Sequence, residues 1–372
     1  MKKKLQNLAL YLVLVVVGAI SGVIMVVYLD GVFEEYGLLL SLAFKALIFL
    51  LTFYVQLILH EVGHLVSGLL SGYSFGSFRI GSIMLVKKDG RLKIKRQSIA
   101  GTGGQCLMIP PEPIDGKIPV VFYNLGGVIM NLITLPICVF LVRFLIGKPL
   151  PYAVCVFMFL SGLIIALTNG IPLKTGMMNN DGSNACELRK SKEAVRAFYC
   201  QFMILDSIRN GTRLKDISDD YFPTPTPDGM KNSISASAAI FLENRLMDAQ
   251  RFDEAIVLIN ELLKGENELV GIHKSLLISD KITILLMQGN TALARNLYLS
   301  KSYQAFSKQM KTSISVIRTD YAFAILCDKN SQKAGEIMLR FDKYARTHPY
   351  ISDVESEREL IDRINCKADS IS

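Results

Sequence analysis

Long apolar runs dominate the first 170 residues, and beyond them apolar and charged positions alternate as they do along surface helices. Four runs, at 8–29, 38–59, 118–144 and 150–168, are long and uncharged enough to cross a bilayer as helices. The first follows Lys2, Lys3 and Lys4, a basic start like that of a signal peptide. Its apolar run is too long for one and lacks a small-residue cleavage site, which predicts a retained anchor. Residues 83–95 form two strand-like stretches joined by Asp89-Gly90, a hairpin signal, with Gly101-Thr102-Gly103-Gly104 close behind. Beyond Glu187 nothing can span a membrane, and Pro223-Thr224-Pro225-Thr226-Pro227-Asp228-Gly229 is a turn-rich linker.

After that linker, the stretches 251–255, 289–294 and 329–334 each look like a short turn feeding a helix. Ala255, Ala294 and Ala334 recur at a period of about 40, the range of helix-pair solenoids, in which small residues let paired helices approach closely. The pattern resembles degenerate tetratricopeptide-like repeats. The predicted fold is therefore an α-helical polytopic membrane protein, with about four transmembrane helices and a small cytoplasmic β-hairpin, followed by an all-α, tetratricopeptide-like helical-repeat domain. The expected divisions are an N-terminal anchor and outer loop (1–36), a membrane core (37–186), a connecting helix and linker (187–232) and a repeat domain (233–372). Arrays of this kind bind proteins through a concave face, so a cytoplasmic protein partner is expected there.

Composition supports a membrane half and a soluble half: 51% of the 372 residues are apolar and the mean hydropathy is +0.34. The net charge of +8 does not call for nucleic acid, because many basic residues cluster beside the apolar runs, as the positive-inside effect requires. That effect also sets orientation. The three N-terminal lysines lie inside, the loop carrying Asp30, Glu34 and Glu35 outside, and the basic segment from Arg79 to Arg96 inside, so both termini are expected in the cytoplasm of a bacterial cell. The basic hairpin is open to two readings: a segment held to anionic lipid by its charge, or a sheet edge that holds an extended substrate by strand addition. Seven cysteines without CxxC spacing argue against a disulfide framework and for reduced thiols.

The chemistry is concentrated at the end of the second run. Two of the four histidines fall in His60-Glu61-Val62-Gly63-His64. On a helix, residues four apart share a face, so His60 and His64 can ligate one metal ion while Glu61, about 100° round, reaches water beside it. Ionisable residues at membrane depth are costly, which favours a functional reading. A catalytic zinc needs a third protein ligand and an open position. His273 and His348 lie far along the soluble half, the acidic residues of the first loop lie on the wrong side, Asp89 is a turn residue, and Glu112 and Asp115 sit in a Pro-rich loop. Asp181 remains, after a Gly170/Pro172 break that can fold the chain back, either as the ligand or as a helix N-cap; Glu187 is the alternative.

Three blocks now carry a resemblance to the site-2 protease family of intramembrane zinc metalloproteases. They are His60-Glu61-Val62-Gly63-His64, Gly127-Val128-Ile129-Met130-Asn131, and Asn169-Gly170-Ile171-Pro172 with Asp181-Gly182. The resemblance covers about residues 38–185; Val128 stands where the family usually has proline, and the Pro172-to-Asp181 spacing is long. It implies that Zn2+ is held by His60, His64 and Asp181, that Glu61 is the general base, and that Asn131 meets the oxyanion or the substrate backbone; the other reading of Asn131 is an interhelical hydrogen bond. The implied activity is hydrolysis of a peptide bond in or near a membrane-inserted segment, as in regulated intramembrane proteolysis or the processing of signal peptides and pheromones. The alternative is a membrane-anchored adaptor with a vestigial metal site.

Overall fold

A computed structural model describes residues 2–88, 90–96, 102–172 and 179–370, with backbone alone for 2–11, 13, 14 and 88. Asp89 of the expected hairpin turn, Gly101 of the glycine-rich stretch and residues 173–178 of the approach to Asp181 lie outside the described residues. The chain divides into two compact units, Met1–Ile80 with Gly103–Lys190, and Gly81–Thr102 with Ser191–Ser372.

The first unit opens with α1 (Lys2–Leu29) and α2 (Leu38–Leu70), followed by strand β1 (Ser74–Ile80). The next strands, β2 (Ile83–Lys88) and β3 (Arg91–Arg96), belong to the second unit, and the first resumes with β4 (Gly104–Ile109), α3 (Val120–Val142), α4 (Pro149–Gly170) and α5 (Asp181–Lys190). Among the described residues, three helices, α2, α3 and α4, are long and apolar enough to cross a membrane. The first expected span lies partly among residues whose side chains are not described; within α1 the described apolar stretch is Val15–Leu29. The 33 residues of α2 extend about 50 Å, well beyond the hydrocarbon thickness of about 30 Å.

Helices α2, α3 and α4 pack against one another, and α5 packs on α3. Small residues decide where α2 and α3 cross. A Cβ on Gly126 would strike Ser67 Oγ and the carbonyl oxygen of Gly63, and one on Gly127 would stand 2.5 Å from the His60 ring. Only a Gly-Gly pair admits the two helices at this distance. Strand β1 runs antiparallel to β4, with Phe78 opposite Cys106 and Ile80 opposite Gly104, which carries the start of β4 alongside α2.

In the second unit β2 and β3 form the expected antiparallel hairpin, with Leu85 opposite Ile94 and Gly90 at φ +73° in the turn. The rest is all-α: α6 (Lys192–Arg209), α7 (Ser233–Asp248), α8 (Phe252–Lys264), α9 (Gly271–Met287), α10 (Thr291–Tyr298), α11 (Lys301–Gln309), α12 (Ile314–Ala322, continued by a π-helical turn to Cys327), α13 (Ser331–Ala345) and α14 (Ile351–Asp369). Helices α7/α8, α9/α10 and α12/α13 are paired hairpins. Ala255, Ala294 and Ala334 are at most 3% exposed, each in the first turns of the second helix of its pair. Each connecting turn contains one left-handed residue, Gln250, Gly289 or Lys329, spaced 39 and 40 residues apart.

A charge cluster ties four of these helices together. Arg318 of α12, 1% exposed, donates to Asp280 of α9 at 2.5 Å and to Glu357 of α14 at 2.8 Å. Glu243 of α7 is equally buried, and neither of its carboxylate oxygens has a hydrogen-bond partner among the described residues. Burial, and then the Asp280 charge, push its carboxyl well above the usual carboxylate range, with Arg318 pulling the other way. Burial thus favours the neutral form of Glu243. Replacing it with the isosteric amide, Glu243→Gln, is expected to change stability by less than about 0.5 kcal/mol at pH 7, whereas Arg318→Met strands two carboxylates and costs about 3–5 kcal/mol. Chemical denaturation of the full chain in detergent measures both, and equal losses for the two variants would contradict the neutral assignment.

Candidate metal centre

Helix α2 is apolar on most of its circumference, yet Thr52, Gln56, His60 and His64 follow one another at four-residue spacing. That spacing stacks them on one face, and all four are buried. Each has its polar atoms occupied. Thr52 Oγ1 bonds the Ile48 carbonyl at 2.9 Å and lies 3.3 Å from Ser161 Oγ on α4. Gln56 Nε2 donates to the Met158 carbonyl and to Thr134 Oγ1, both at 2.9 Å, and Thr134 donates onward to the Asn131 carbonyl at 2.6 Å. Asn131 Nδ2 donates to the Gln56 carbonyl at 3.0 Å and to Gln56 Oε1 at 2.8 Å.

These bonds decide the histidine tautomers. Backbone carbonyls only accept, so the Asn131 nitrogen must face the Gln56 carbonyl, which leaves Asn131 Oδ1 facing His60 Nδ1 at 2.7 Å. His60 therefore carries its proton on Nδ1. His64 Nδ1 lies 2.9 Å from the Tyr123 carbonyl oxygen and must donate as well. Both rings then turn their Nε2 atoms inward, 3.3 Å apart. Asp181 Oδ2 completes the triangle at 2.9 Å from His60 Nε2 and 3.4 Å from His64 Nε2.

When both imidazoles are neutral, as metal ligation requires, three lone pairs converge on one point and repel unless a cation lies among them. Ligands about 2.0–2.2 Å from a tetrahedral zinc are about 3.3 Å from one another, so the observed edges fit such an ion. Among the described residues, His60, His64 and Asp181 form the one group of three ligating side chains close enough to hold a metal. Glu187, the alternative third ligand, is not part of it.

Asp181 is available for this because its neighbour does the capping. Asn180 Oδ1 accepts from the Ser183 amide at 2.9 Å, while its Nδ2 donates to the Thr168 and Ile171 carbonyls at 2.7 and 2.6 Å and so fastens the start of α5 to the end of α4. Gly182 has no room for a Cβ beside the Gly170 carbonyl. The N-cap role considered for Asp181 thus belongs to Asn180.

Glu61 is 6% exposed and lies against β4, where a Cβ on Gly104 would stand 2.6 Å from its Oε1. Arg79 of β1, also buried, donates from Nη2 to the Gly104 carbonyl at 3.3 Å and so holds that strand over Glu61. Burial lowers the Arg79 pKa, and the Glu61 charge opposes the shift. Of the two readings of Asn131, the structure describes the interhelical hydrogen bond: the side chain is fully buried, with its amide given to His60 and Gln56. Gln56, Thr134, Arg79 and Asn180 were not anticipated as site residues, although the four-residue polar stripe in α2 was a signal that pointed to Gln56.

Compared with family profiles, with characterised proteins and with solved structures, the chain matches none. The site therefore stands on its own geometry. If the three side chains hold a metal ion, removing the amide that orients His60, by Asn131→Leu, is expected to weaken its binding about 10- to 100-fold, the usual cost of losing the hydrogen bond behind a ligating imidazole. Competition with a chromophoric chelator reads this directly, and an unchanged affinity in a folded variant would show that the network does not position His60.

Proposed function

We propose that the protein is an intramembrane zinc endopeptidase resembling the site-2 protease family, acting on a membrane-inserted protein or peptide. The observation that carries this reading is the convergence of His60 Nε2, His64 Nε2 and Asp181 Oδ2 at edges of 2.9–3.4 Å, with Glu61 next to the first ligand. The site's position supports it. His60 stands about 33 Å along α2 from Leu38, at the far boundary of an apolar layer of bilayer thickness. Positive-inside reasoning makes that boundary the cytoplasmic one and leaves both chain termini in the cytoplasm.

Zinc, held by His60, His64 and Asp181, would supply Lewis-acid activation of water and of the scissile carbonyl. Glu61 would take a proton from the attacking water and return it to the leaving amine, which suits a carboxylate that ligates nothing itself. Asn131 and Gln56 would fix the His60 ring and its tautomer rather than touch substrate. The backbone at a scissile bond must be extended, because a helix hides its carbonyls. Strand β4 lies beside Glu61 and is paired on one side only among the described residues, so it offers such a backbone a partner. The hairpin array of α7 to α13 would serve as a docking platform for substrate or regulator.

The decisive comparison pairs wild type with Glu61→Gln and Asp181→Asn, reconstituted in proteoliposomes with a panel of single-span peptides, with zinc measured in parallel. Glu61→Gln is expected to keep its zinc while cleavage falls by at least about 10²–10⁴-fold, and Asp181→Asn to lose both. Absence of zinc from all three proteins would overturn the peptidase reading and leave the membrane-anchored adaptor.

A further inference from the structure

The β2–β3 hairpin has two unlike faces. Met84 and Val86 point to one side and are each 2% exposed. The cross-strand pairs Ile83/Arg96, Leu85/Ile94 and Lys87/Leu92 share the other side, where Ile83 and Leu92 are 60% exposed and Ile94 is 75% exposed. A row of aliphatic side chains thus stands in the open, with Lys87 and Arg96 at its ends. Residues 83–96 contain six basic residues and one acidic residue. Lys87, Arg91, Lys93, Lys95 and Arg96 form no ion pair among the described residues.

Protection of an open sheet edge accounts for lysines on β3, because charge there blocks strand-to-strand association. It does not account for three exposed aliphatic residues, which invite association. One partner satisfies both features: a surface with an apolar interior beneath a layer of negative charge. We propose that this hairpin docks on an anionic lipid surface, its Ile83/Leu85/Leu92/Ile94 face seated among the upper acyl chains and the cations on that face, Lys87 and Arg96, among the headgroups. The inference rests on α2 being a membrane span, and it is independent of the zinc chemistry. Connectivity permits it: twelve residues separate Leu70, the end of α2, from Ile83, a reach of up to about 45 Å.

The chain contains no tryptophan, so Ile94→Trp places a single indole on the proposed contact face. In vesicles rich in phosphatidylglycerol, its emission is expected to shift to the blue and to be quenched by lipid brominated high on the acyl chain. In pure phosphatidylcholine, or with Lys87→Gln and Arg96→Gln added, quenching is expected to fall by at least half. Leu92→Trp, on the same face, repeats the measurement should the first variant misfold. Water-like emission without lipid quenching in both vesicle types would overturn the proposal. So would shielding that grows with protein density while brominated lipid has no effect, since a second copy of the chain would then be the occupant.

Discussion

Two imidazoles and a carboxylate that turn their ligating atoms toward one point set the terms for everything around them. With both rings neutral that arrangement is repulsive, and both histidines are buried in an apolar helix bundle. It persists because each ring is held from behind by an acceptor, Asn131 Oδ1 for His60 and the Tyr123 carbonyl for His64. The acceptor on His60 is itself fixed by Gln56, whose own amide is consumed by Met158 and Thr134. An unpaired member anywhere in this chain would cost about 1–3 kcal/mol, so the network is either complete or a liability. It is complete.

The same requirement explains the helix crossing. Hydrogen bonds of 2.7–3.0 Å between α2 and α3 need the backbones close together, and the Gly126-Gly127 pair facing Gly63 provides that approach. A side chain at either position would push His60 out of reach of Asn131. Sterics and polar satisfaction are therefore one constraint here, expressed in small residues on one side of the interface and amides on the other.

How much of this could be read from the chain alone depends on range. The ligand pair His60 and His64 is legible because helix periodicity is local. The apolar runs of α2, α3 and α4 are legible because length and composition suffice. Asp181 emerges by elimination, but whether it or Asn180 caps α5 does not, since both residue types cap well and only the folded geometry of Thr168, Ile171 and Ser183 assigns the task. Asn131 was open to a substrate contact, by resemblance, or to an interhelical bond, and the bond it makes depends on a partner 75 residues away in sequence. In the helical domain the alanine period was visible, whereas the matching left-handed turn residues were not. Glycine is the usual marker of that conformation, and two of the three positions are Gln250 and Lys329.

A peptidase built on this site must also admit two things that its surroundings exclude, a water molecule and an unwound peptide. Helices α2, α3 and α4 pack closely around the ligand triangle, and Gln56 and Asn131 behind it are fully buried. The approach that differs in kind is over Glu61, where the neighbouring backbone is a strand rather than a helix and glycine at 104 leaves no side chain in the way. An extended peptide lying along β4 would bring its carbonyls past the carboxylate, while Arg79 holds that strand through the Gly104 carbonyl. Glu61, proposed as the base, is thus one residue from the first proposed ligand and lies against an extended backbone. That coincidence favours peptide hydrolysis over a purely structural metal site, which would need neither a free carboxylate nor an open strand beside it.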